Sequence, residues 1–241
     1  MVDRAPWPAA AVVIVTYDRP AEVRRTIAAL VARLRYPGPL RWHLADDGSP
    51  GDYVASIVAD FPQLVWTASV TPRRGWGANV NAALAAVGDC PYLFLCEDDY
   101  VATRALDVTR GVALLEAHEG LAAVRYDGIS GHRLVLHLEE QPTRLGPVTY
   151  AAIDASASPC LNVYSNRPHL RHAARFARWF GPYPEGRPLG ETEEAYAHTV
   201  RDRSVPEAPR LAILEDGIAP AFDHIGTSRQ HTAADRETQR V

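Results

Sequence analysis

Short apolar runs that end in acidic residues dominate the first hundred positions of the chain. The runs cover residues 11–17, 40–45 and 92–96, and the acids that follow them are Asp18, Asp46, Asp47, Glu97, Asp98 and Asp99. Runs this short and rich in β-branched and aromatic residues, with helical spacing between them, are typical of buried parallel strands. Because ligands of open α/β sheets bind at the carboxyl ends of the strands, the pattern predicts a ligand site lined by carboxylates.

The segments between and after these runs predict the remaining elements. Helical spacing of apolar residues predicts helices that start at Pro20 and at Ser49-Pro50, one around 80–87, and others over 103–118, 170–180 and 191–201. Apolar or alternating segments predict further strands at 64–66, 121–126, 134–138, 161–164 and 211–214. This order predicts an α/β fold with a mostly parallel sheet flanked by helices. The polar composition of residues 226–241 predicts a flexible tail.

Composition narrows the class of function. The chain has 241 residues and a net charge of −4, and all 25 of its basic residues are arginines. This balance gives no overall basic field for binding nucleic acid. The three cysteines have no metal-binding or redox spacing and suit a reducing compartment. No apolar stretch approaches the roughly 18–20 residues of a membrane span, and no signal-peptide core follows Met1, so we expect a cytoplasmic protein.

The acids themselves predict a cation. Neighbouring carboxylates raise one another's pKa unless a cation joins them, and Mg²⁺ prefers one or two carboxylates together with waters and substrate phosphates. Glu97, Asp98 and Asp99 therefore predict a divalent metal, Mn²⁺ or Mg²⁺, that carries a phosphate ligand. A solvated strand end is the plain alternative for these acids, and a simple turn is the plain alternative for 46–49. The chain lacks GxGxxG after its first strand and lacks GxxxxGK[ST] throughout.

Four segments, in order, resemble the motifs of family 2-type glycosyltransferases, which have the GT-A fold. They are Val12–Pro20, Asp46–Ser49, Arg74–Leu84 and Leu95–Asp99. They are similar to the family's opening strand, its Asp-Asp-Gly-Ser turn, its Gly-rich loop and helix, and its DXD region. The chain departs from the family's usual residues at Val15, Asp18, Val80 and Glu97, and these departures leave the identity of the nucleotide open.

The resemblance implies a set of binding residues. The nucleotide would be held by Thr16, Tyr17, Asp18, Asp47, Arg74 and Asp98, with Asp47 accepting a hydrogen bond from the base. The metal would be held by Asp99, Glu97 and His224. His224 belongs to 223–226, which looks like the His-Gly segment that closes over the phosphates late in many GT-A chains.

The catalytic base is implied to lie at 190–196, which resembles the family's Glu-Asp region. The aspartate is missing, so Glu193 or Glu194 has to replace it, and Glu194 is favoured because it takes the aspartate's place. An ordinary acidic first turn, stabilised by the helix dipole, is the plain alternative.

The implied function is metal-dependent, inverting transfer of a sugar from a nucleotide sugar, with a UDP-sugar favoured, to an acceptor hydroxyl of unknown class. The resemblance predicts one domain over 1–225, with a nucleotide-binding half at 1–105 and an acceptor half at 106–225. Two alternatives remain, a nucleotidyltransferase of related fold and a non-catalytic nucleotide-sugar-binding module. Against the nucleotidyltransferase, this chain lacks the Gly-rich loop and lysine that usually follow the first strand in such enzymes. Arg171, Arg175 and Arg178, predicted on one helix face, are candidates for weak contact with an acidic membrane surface.

Overall fold

The computed structural model describes residues 6–126, 134–158, 163–204, 210–214 and 220–226. Its helices are α1 Pro20–Arg33, α2 Tyr53–Asp60, α3 Trp76–Ala86, α4 Val108–Ala117, α5 Ala173–Phe180 and α6 Leu189–Arg203. Its strands are β1 Ala10–Thr16, β2 Leu34–Arg35, β3 Leu40–Asp46, β4 Trp66–Val70, β5 Tyr92–Glu97, β6 Tyr100–Ala102, β7 Leu106–Asp107, β8 Leu121–Arg125, β9 Leu136–Thr143, β10 Gly146–Ile153, β11 His169–His172, β12 Arg210–Leu214 and β13 Phe222–His224.

One nine-stranded sheet organises the described chain, in the order β4-β3-β1-β5-β11-β8-β12-β10-β9. The first four strands are all parallel, and Thr16 is in register with Asp46 while Val15 is in register with Glu97. The predicted α/β fold is thus confirmed. Because parallel strands present their carboxyl ends at one edge, the acids that end β3 and β5 lie beside the end of β1.

Helices cover both faces of this sheet. Along β1, Val12 and Ile14 point into one apolar cluster, while Val13 and Val15 point into a second cluster on the opposite face. This alternation is the two-residue period of a strand whose two faces are both buried. The helices α1, α2 and α4 cover the first face, and α3, α5 and α6 cover the second.

The second half of the chain brings antiparallel pairs into the sheet. β11 pairs antiparallel with both β5 and β8, and β12 then runs parallel to β8. The predicted helix over 170–180 is therefore wrong in its first turn, because residues 169–172 are a strand and the helix begins at Ala173. The apolar spacing of α5 extends back into β11 and conceals the boundary, and the pairing with two neighbouring strands decides it.

Other boundaries differ from the sequence-based predictions in the same way. The helix predicted over 103–118 begins only at Val108, because β6 and β7 occupy residues 100–102 and 106–107. The strand predicted at 134–138 is longer and forms a hairpin with β10, which the sequence did not predict. The helix predicted to start at Ser49-Pro50 begins at Tyr53. Residues 163–164 of the strand predicted at 161–164 do not belong to a strand, and its residues 161–162 lie outside the described residues, as do residues 227–241 of the predicted tail. Within the described chain, no helix is long and apolar enough to cross a membrane.

Candidate active site

Asp98 is the buried centre of the acidic edge. Its Oδ2 accepts hydrogen bonds from the hydroxyl of Thr16 at 2.8 Å and from the backbone N–H of Tyr17 at 3.3 Å. The hydroxyl of Tyr53 lies 2.5 Å from the same threonine oxygen. Burial raises the pKa of Asp98 to about 7, although these donors and the Arg19 guanidinium oppose the shift. Two residues assigned to the nucleotide, Thr16 and Tyr17, thus lie against this carboxyl group.

Asp99 lies beside it, between a guanidinium and an imidazole. Arg19 Nη1 contacts Asp99 Oδ2 and lies 3.4 Å from Asp98 Oδ1. His224 Nε2 lies 3.2 Å from the same Asp99 Oδ2, because β13 pairs antiparallel with β6. Asp99 Oδ1 is buried without a hydrogen-bond partner. A Cβ atom added at Gly226 would overlap Asp99, so the segment 222–226 packs closely over this carboxylate.

The donor set at this edge suits a divalent cation only with help from a ligand. Among the described residues, no group of three or more His, Cys, Asp or Glu side chains is arranged to hold a metal ion. Asp99 offers a buried Oδ1 with no partner, and His224 offers a nitrogen 3.2 Å from the other oxygen, Oδ2. Because Mg²⁺ and similar ions take one or two protein ligands and complete their shell with phosphates and waters, these residues fit a metal that arrives with a diphosphate.

Glu97 is the last residue of β5, two positions after Leu95, whose side chain lies in the cluster on the face covered by α3, α5 and α6. Burial raises the pKa of Glu97 well above its usual value, and the nearby charges of Asp99, Glu193 and Asp98 raise it further. Because Glu193 contributes to the raised pKa of Glu97, its carboxylate on α6 lies within electrostatic range of the acidic edge. The Oε1 atom of Glu193 accepts a hydrogen bond from the backbone N–H of Asn166 at 2.9 Å.

Glu194 lies on another face of α6. The buried residues of this helix include Tyr196, Ala197 and Val200, which follow Glu193 at spacings of three, four and seven. Helical periodicity therefore puts Glu193 on the inner face. Glu194 is exposed and points about 100° away. The structure brings Glu193, and not Glu194, towards the other candidate residues.

Asp46 and Ser49, at the end of β3, hold the neighbouring turn between β1 and α1 in place. Asp46 accepts hydrogen bonds from the backbone N–H and the hydroxyl of Ser49, at 2.8 and 2.5 Å. The Ser49 oxygen in turn accepts a hydrogen bond from the backbone N–H of Asp18 at 2.7 Å. Asp18 has a φ of +46°, which is uncommon for a residue other than glycine. The Asp-Asp-Gly-Ser turn therefore holds a strained residue of the neighbouring strand end in place.

Asp47 fixes a second loop. Its Oδ1 accepts hydrogen bonds from the Thr71 hydroxyl at 2.7 Å and from the backbone N–H of Arg74 at 2.9 Å, and its Oδ2 accepts one from the N–H of Gly75 at 3.0 Å. Burial raises the pKa of Asp47, and these three donors oppose the shift. These contacts hold the loop that precedes α3 in place.

The two arginines of that loop, Arg73 and Arg74, make different contacts. Arg74, expected at the nucleotide, forms an exposed ion pair with Glu185 at 2.9 Å. The guanidinium of Arg73 lies over the ring of Tyr17, 4.1 Å from its centre. This stacked guanidinium and ring, at the end of β1, form a flat surface that suits one side of a nucleotide site. The sequence analysis did not single out Arg73.

Two further residues of the site were missed in the sequence. Tyr53 looked like part of the apolar face of α2, and nothing local signals that its hydroxyl reaches Thr16. Arg19 stood inside the first motif, between Asp18 and Pro20, but the acids were expected to be neutralised by a metal alone. The absence of lysine left arginine as the only basic side chain, apart from histidine, that could meet them.

The predicted arginine face on the 170–180 helix is wrong. Arg171 belongs to β11, is buried, and donates from Nη1 to the Tyr183 hydroxyl at 3.0 Å. Arg175 donates from Nη1 to three backbone carbonyls around the end of α4, those of Leu115, His118 and Leu121. Two of the three arginines are thus engaged inside the protein, and the expected contact with an acidic membrane surface loses its basis.

Replacement of Asp47 by alanine is expected to weaken UDP binding by about 10- to 100-fold. The change removes a buried carboxylate that accepts three hydrogen bonds within the protein, and we expect a part of that loss, about 1.4–2.8 kcal/mol, to appear in UDP binding. The loop at 73–75 would lose its anchor, so binding should weaken both with and without metal. Titration calorimetry with UDP measures this effect. Asp89→Ala, at an exposed ion pair with Arg41, is the control. Unchanged UDP affinity in Asp47→Ala would reduce 46–49 to a simple turn.

Comparisons with known proteins agree with this geometry. A sequence model described as glycosyl transferase family 2 matches residues 11–171. That range includes β1, β3, β5 and every acid of the edge. A search of curated proteins finds no match to the chain.

Several solved structures share the fold. The mannosyltransferase PcManGT from Pyrobaculum calidifontis, in complex with GDP-Man and Mn²⁺, is 14% identical with a TM-score of 0.61, over 95% of this chain and 61% of that one. S. aureus TarS 1–349 in complex with UDP is 15% identical with a TM-score of 0.62, over 88% of this chain and 59% of that one. GalNAc-T7 with UDP, GalNAc and Mn²⁺ is 12% identical with a TM-score of 0.62, over 86% and 42%. The chain thus spans about three fifths of the first two structures and less of the third.

Proposed function

The chain belongs to glycosyl transferase family 2, and from this premise we propose that it transfers a sugar from a nucleotide sugar to an acceptor hydroxyl at the acidic edge of its sheet. One observation carries the proposal. Asp99, after the end of β5, is contacted by Arg19 from the turn after β1 and by His224 of β13, so side chains from both halves of the chain meet at one carboxylate. Glu193 of α6 is among the charges that raise the pKa of Glu97. We propose one domain over 1–225, in which 1–105 holds the donor and 106–225 the acceptor.

The donor is proposed to be a UDP-sugar. TarS was solved with UDP, and GalNAc-T7 with UDP and GalNAc. PcManGT, solved with GDP-Man, keeps a guanosine donor as the competing outcome of any screen. We propose that the nucleoside binds against the Tyr17 ring, on which Arg73 is stacked, and against the loop that Asp47 anchors.

A divalent metal is proposed to bind through Asp99 and His224, with Glu97 as a further ligand, and Mn²⁺ in two of the structures of this fold supports it. When bound, the metal would stabilise the negative charge that develops on the departing diphosphate. The raised pKa of Glu97 favours its protonated form while no cation is near. A bound cation favours the carboxylate, so metal binding and loss of this proton are coupled.

Glu193 is proposed as the general base. Its Oε1 is held by the Asn166 N–H, which orients the carboxylate. The other oxygen accepts the proton of the acceptor hydroxyl while that oxygen attacks the anomeric carbon. The bond from the anomeric carbon to the diphosphate breaks through an oxocarbenium-like state. Attack from the face opposite the leaving group inverts the configuration. Glu193 keeps the proton, and the nucleoside diphosphate leaves with the bonding electron pair.

UDP is expected to bind at least about tenfold more tightly with Mn²⁺ than with a chelator. Asp98 and Asp99 repel a diphosphate unless a cation lies between them. Titration calorimetry with UDP in each condition measures the ratio. Uridine, which lacks the phosphates, is the control and should bind equally in both. Equal affinity for UDP with and without metal would remove the metal from the proposed function. A panel of nucleotide sugars assayed for hydrolysis with Mn²⁺ then identifies the donor, and no turnover of any of them would contradict the proposal itself.

A further inference from the structure

We propose that Arg19 is a built-in counter-ion of Asp98 and Asp99, which a divalent metal has to displace from Asp99 before it binds. This inference rests on the proposed function, because it concerns the same edge of the sheet. It assigns to Arg19, which is neither the proposed base nor one of the residues proposed to contact the nucleoside, a role as a competitor of the metal. It predicts that Arg19 lowers the metal affinity of the protein.

The geometry places one cation on two acids. Arg19 Nη1 contacts Asp99 Oδ2 and lies 3.4 Å from Asp98 Oδ1. The side chains of both acids are only 7% exposed, whereas that of Arg19 is 22% exposed. Two buried carboxylates side by side repel each other, and a guanidinium that bridges them offsets part of this cost. Arg19 therefore balances one of these two negative charges in the absence of metal.

The turn before α1 aims the guanidinium at the acids. Asp18, directly before Arg19, has a φ of +46° and is held by Ser49, which Asp46 holds in turn. Pro20 then begins the helix with its fixed φ. The backbone just before Arg19 is thus held by a strained residue and by two linked hydrogen bonds through Ser49.

The oxygen of Asp99 that Arg19 contacts is the one that lies next to His224. Asp99 Oδ2 meets Arg19 and also lies 3.2 Å from His224 Nε2. A metal shared by Asp99 and His224 would occupy the space beside that oxygen. A guanidinium and a divalent cation repel each other strongly at contact distance in a partly buried site. The metal can therefore bind only as Arg19 moves away, and the free energy of that displacement is subtracted from the binding of the metal.

Binding of Mn²⁺ to single variants at a fixed, saturating concentration of UDP, which supplies the diphosphate, tests this competition. Arg19→Gln removes the charge and keeps much of the length, so the dissociation constant for Mn²⁺ should fall by about tenfold or more. Arg19→Lys keeps a charge that cannot bridge both acids, and it should show a smaller decrease, about two- to fivefold. Arg24→Gln is the matched control, because Arg24 lies in the first turns of α1, just after Arg19, and pairs with Asp60; its Mn²⁺ affinity should equal that of the wild type. Free Mn²⁺ is measured by its electron paramagnetic resonance signal.

Stability gives the second readout. Without metal, the melting temperature of Arg19→Gln should fall below that of the wild type, and saturating Mn²⁺ should restore it. An unchanged or weaker Mn²⁺ affinity in Arg19→Gln overturns the inference, and so does the absence of Mn²⁺ binding in every variant. If Arg19→Gln does not fold, Arg19→Lys decides by the same criterion.

These results can be told apart from failure of the proposed function. If the wild type transfers a sugar and Arg19→Gln binds Mn²⁺ like the wild type, only the inference fails. If no nucleotide sugar is turned over but Arg19→Gln binds Mn²⁺ more tightly, the inference stands without the proposed function.

Discussion

Asn in place of Asp99 is expected to abolish sugar transfer, with a loss of about 10³-fold or more in turnover, while the protein stays folded. The substitution keeps the shape of the side chain but removes the charge that would hold a metal and its diphosphate. A loss of 10³-fold corresponds to about 4 kcal/mol of activation free energy. Because Arg19 can still pair with Asp98, the remaining acid is not left without a counter-ion.

The measurement is turnover of the best nucleotide sugar together with a melting curve without metal. Removal of one of two adjacent buried carboxylates relieves repulsion, so the melting temperature should be unchanged or higher. Asp60→Asn, at the exposed pair with Arg24, controls for a change of surface charge. Near-normal turnover in Asp99→Asn would show that the acids after β5 are only a solvated strand end.

The position of the acids could be predicted because it depends only on local sequence. An apolar run that is buried on both faces has to end at the edge of the sheet, and parallel strands bring their ends together. Thr16, Asp46 and Glu97 therefore meet for a reason that can be read from three short segments. The identity of the neighbours around each acid needs tertiary contacts, as the hydroxyl of Tyr53 on Thr16 illustrates.

The failures have specific physical causes. Arg171 looked like a helical surface residue, but a strand between β5 and β8 buries it, and the Tyr183 hydroxyl accepts one of its N–H groups. A sequence pattern does not reveal which partner will satisfy a buried guanidinium. The strand predicted at 134–138 covers only the start of β9, because the residues that follow are mostly polar and lack the apolar alternation of a half-buried strand. Its partner β10 was not predicted.

The choice between the two glutamates, in contrast, was available in the sequence. Tyr196, Ala197 and Val200 define the apolar face of α6, and Glu193 precedes them at spacings of three, four and seven. Correspondence with the family's motif favoured Glu194, whereas helical periodicity favours Glu193. The electrostatic influence of Glu193 on Glu97 agrees with the periodicity.

Glu193→Gln is accordingly expected to lower turnover by about 10²–10⁴-fold and to leave donor affinity nearly intact. Glutamine keeps the volume of the side chain, and its Oε1 can still accept the N–H of Asn166, so the helix and its contact should survive. It cannot take a proton from the acceptor hydroxyl at neutral pH. Because Glu193 is not among the residues proposed to hold the nucleotide, UDP should bind to the variant as it does to the wild type.

Glu194→Gln is the matched comparison, since it makes the same chemical change one residue away on the exposed side of the helix. Its turnover should stay within about fivefold of the wild type, because side chains 100° apart on a helix cannot both face the acceptor. Turnover and UDP affinity measured for both variants separate three outcomes. Loss of turnover only in Glu194→Gln would move the base by one residue and leave the proposed chemistry in place. Full activity in both would place the base elsewhere. Absence of turnover in the wild type itself, with normal UDP binding, would leave a nucleotide-sugar-binding module in which neither glutamate has a proton to accept.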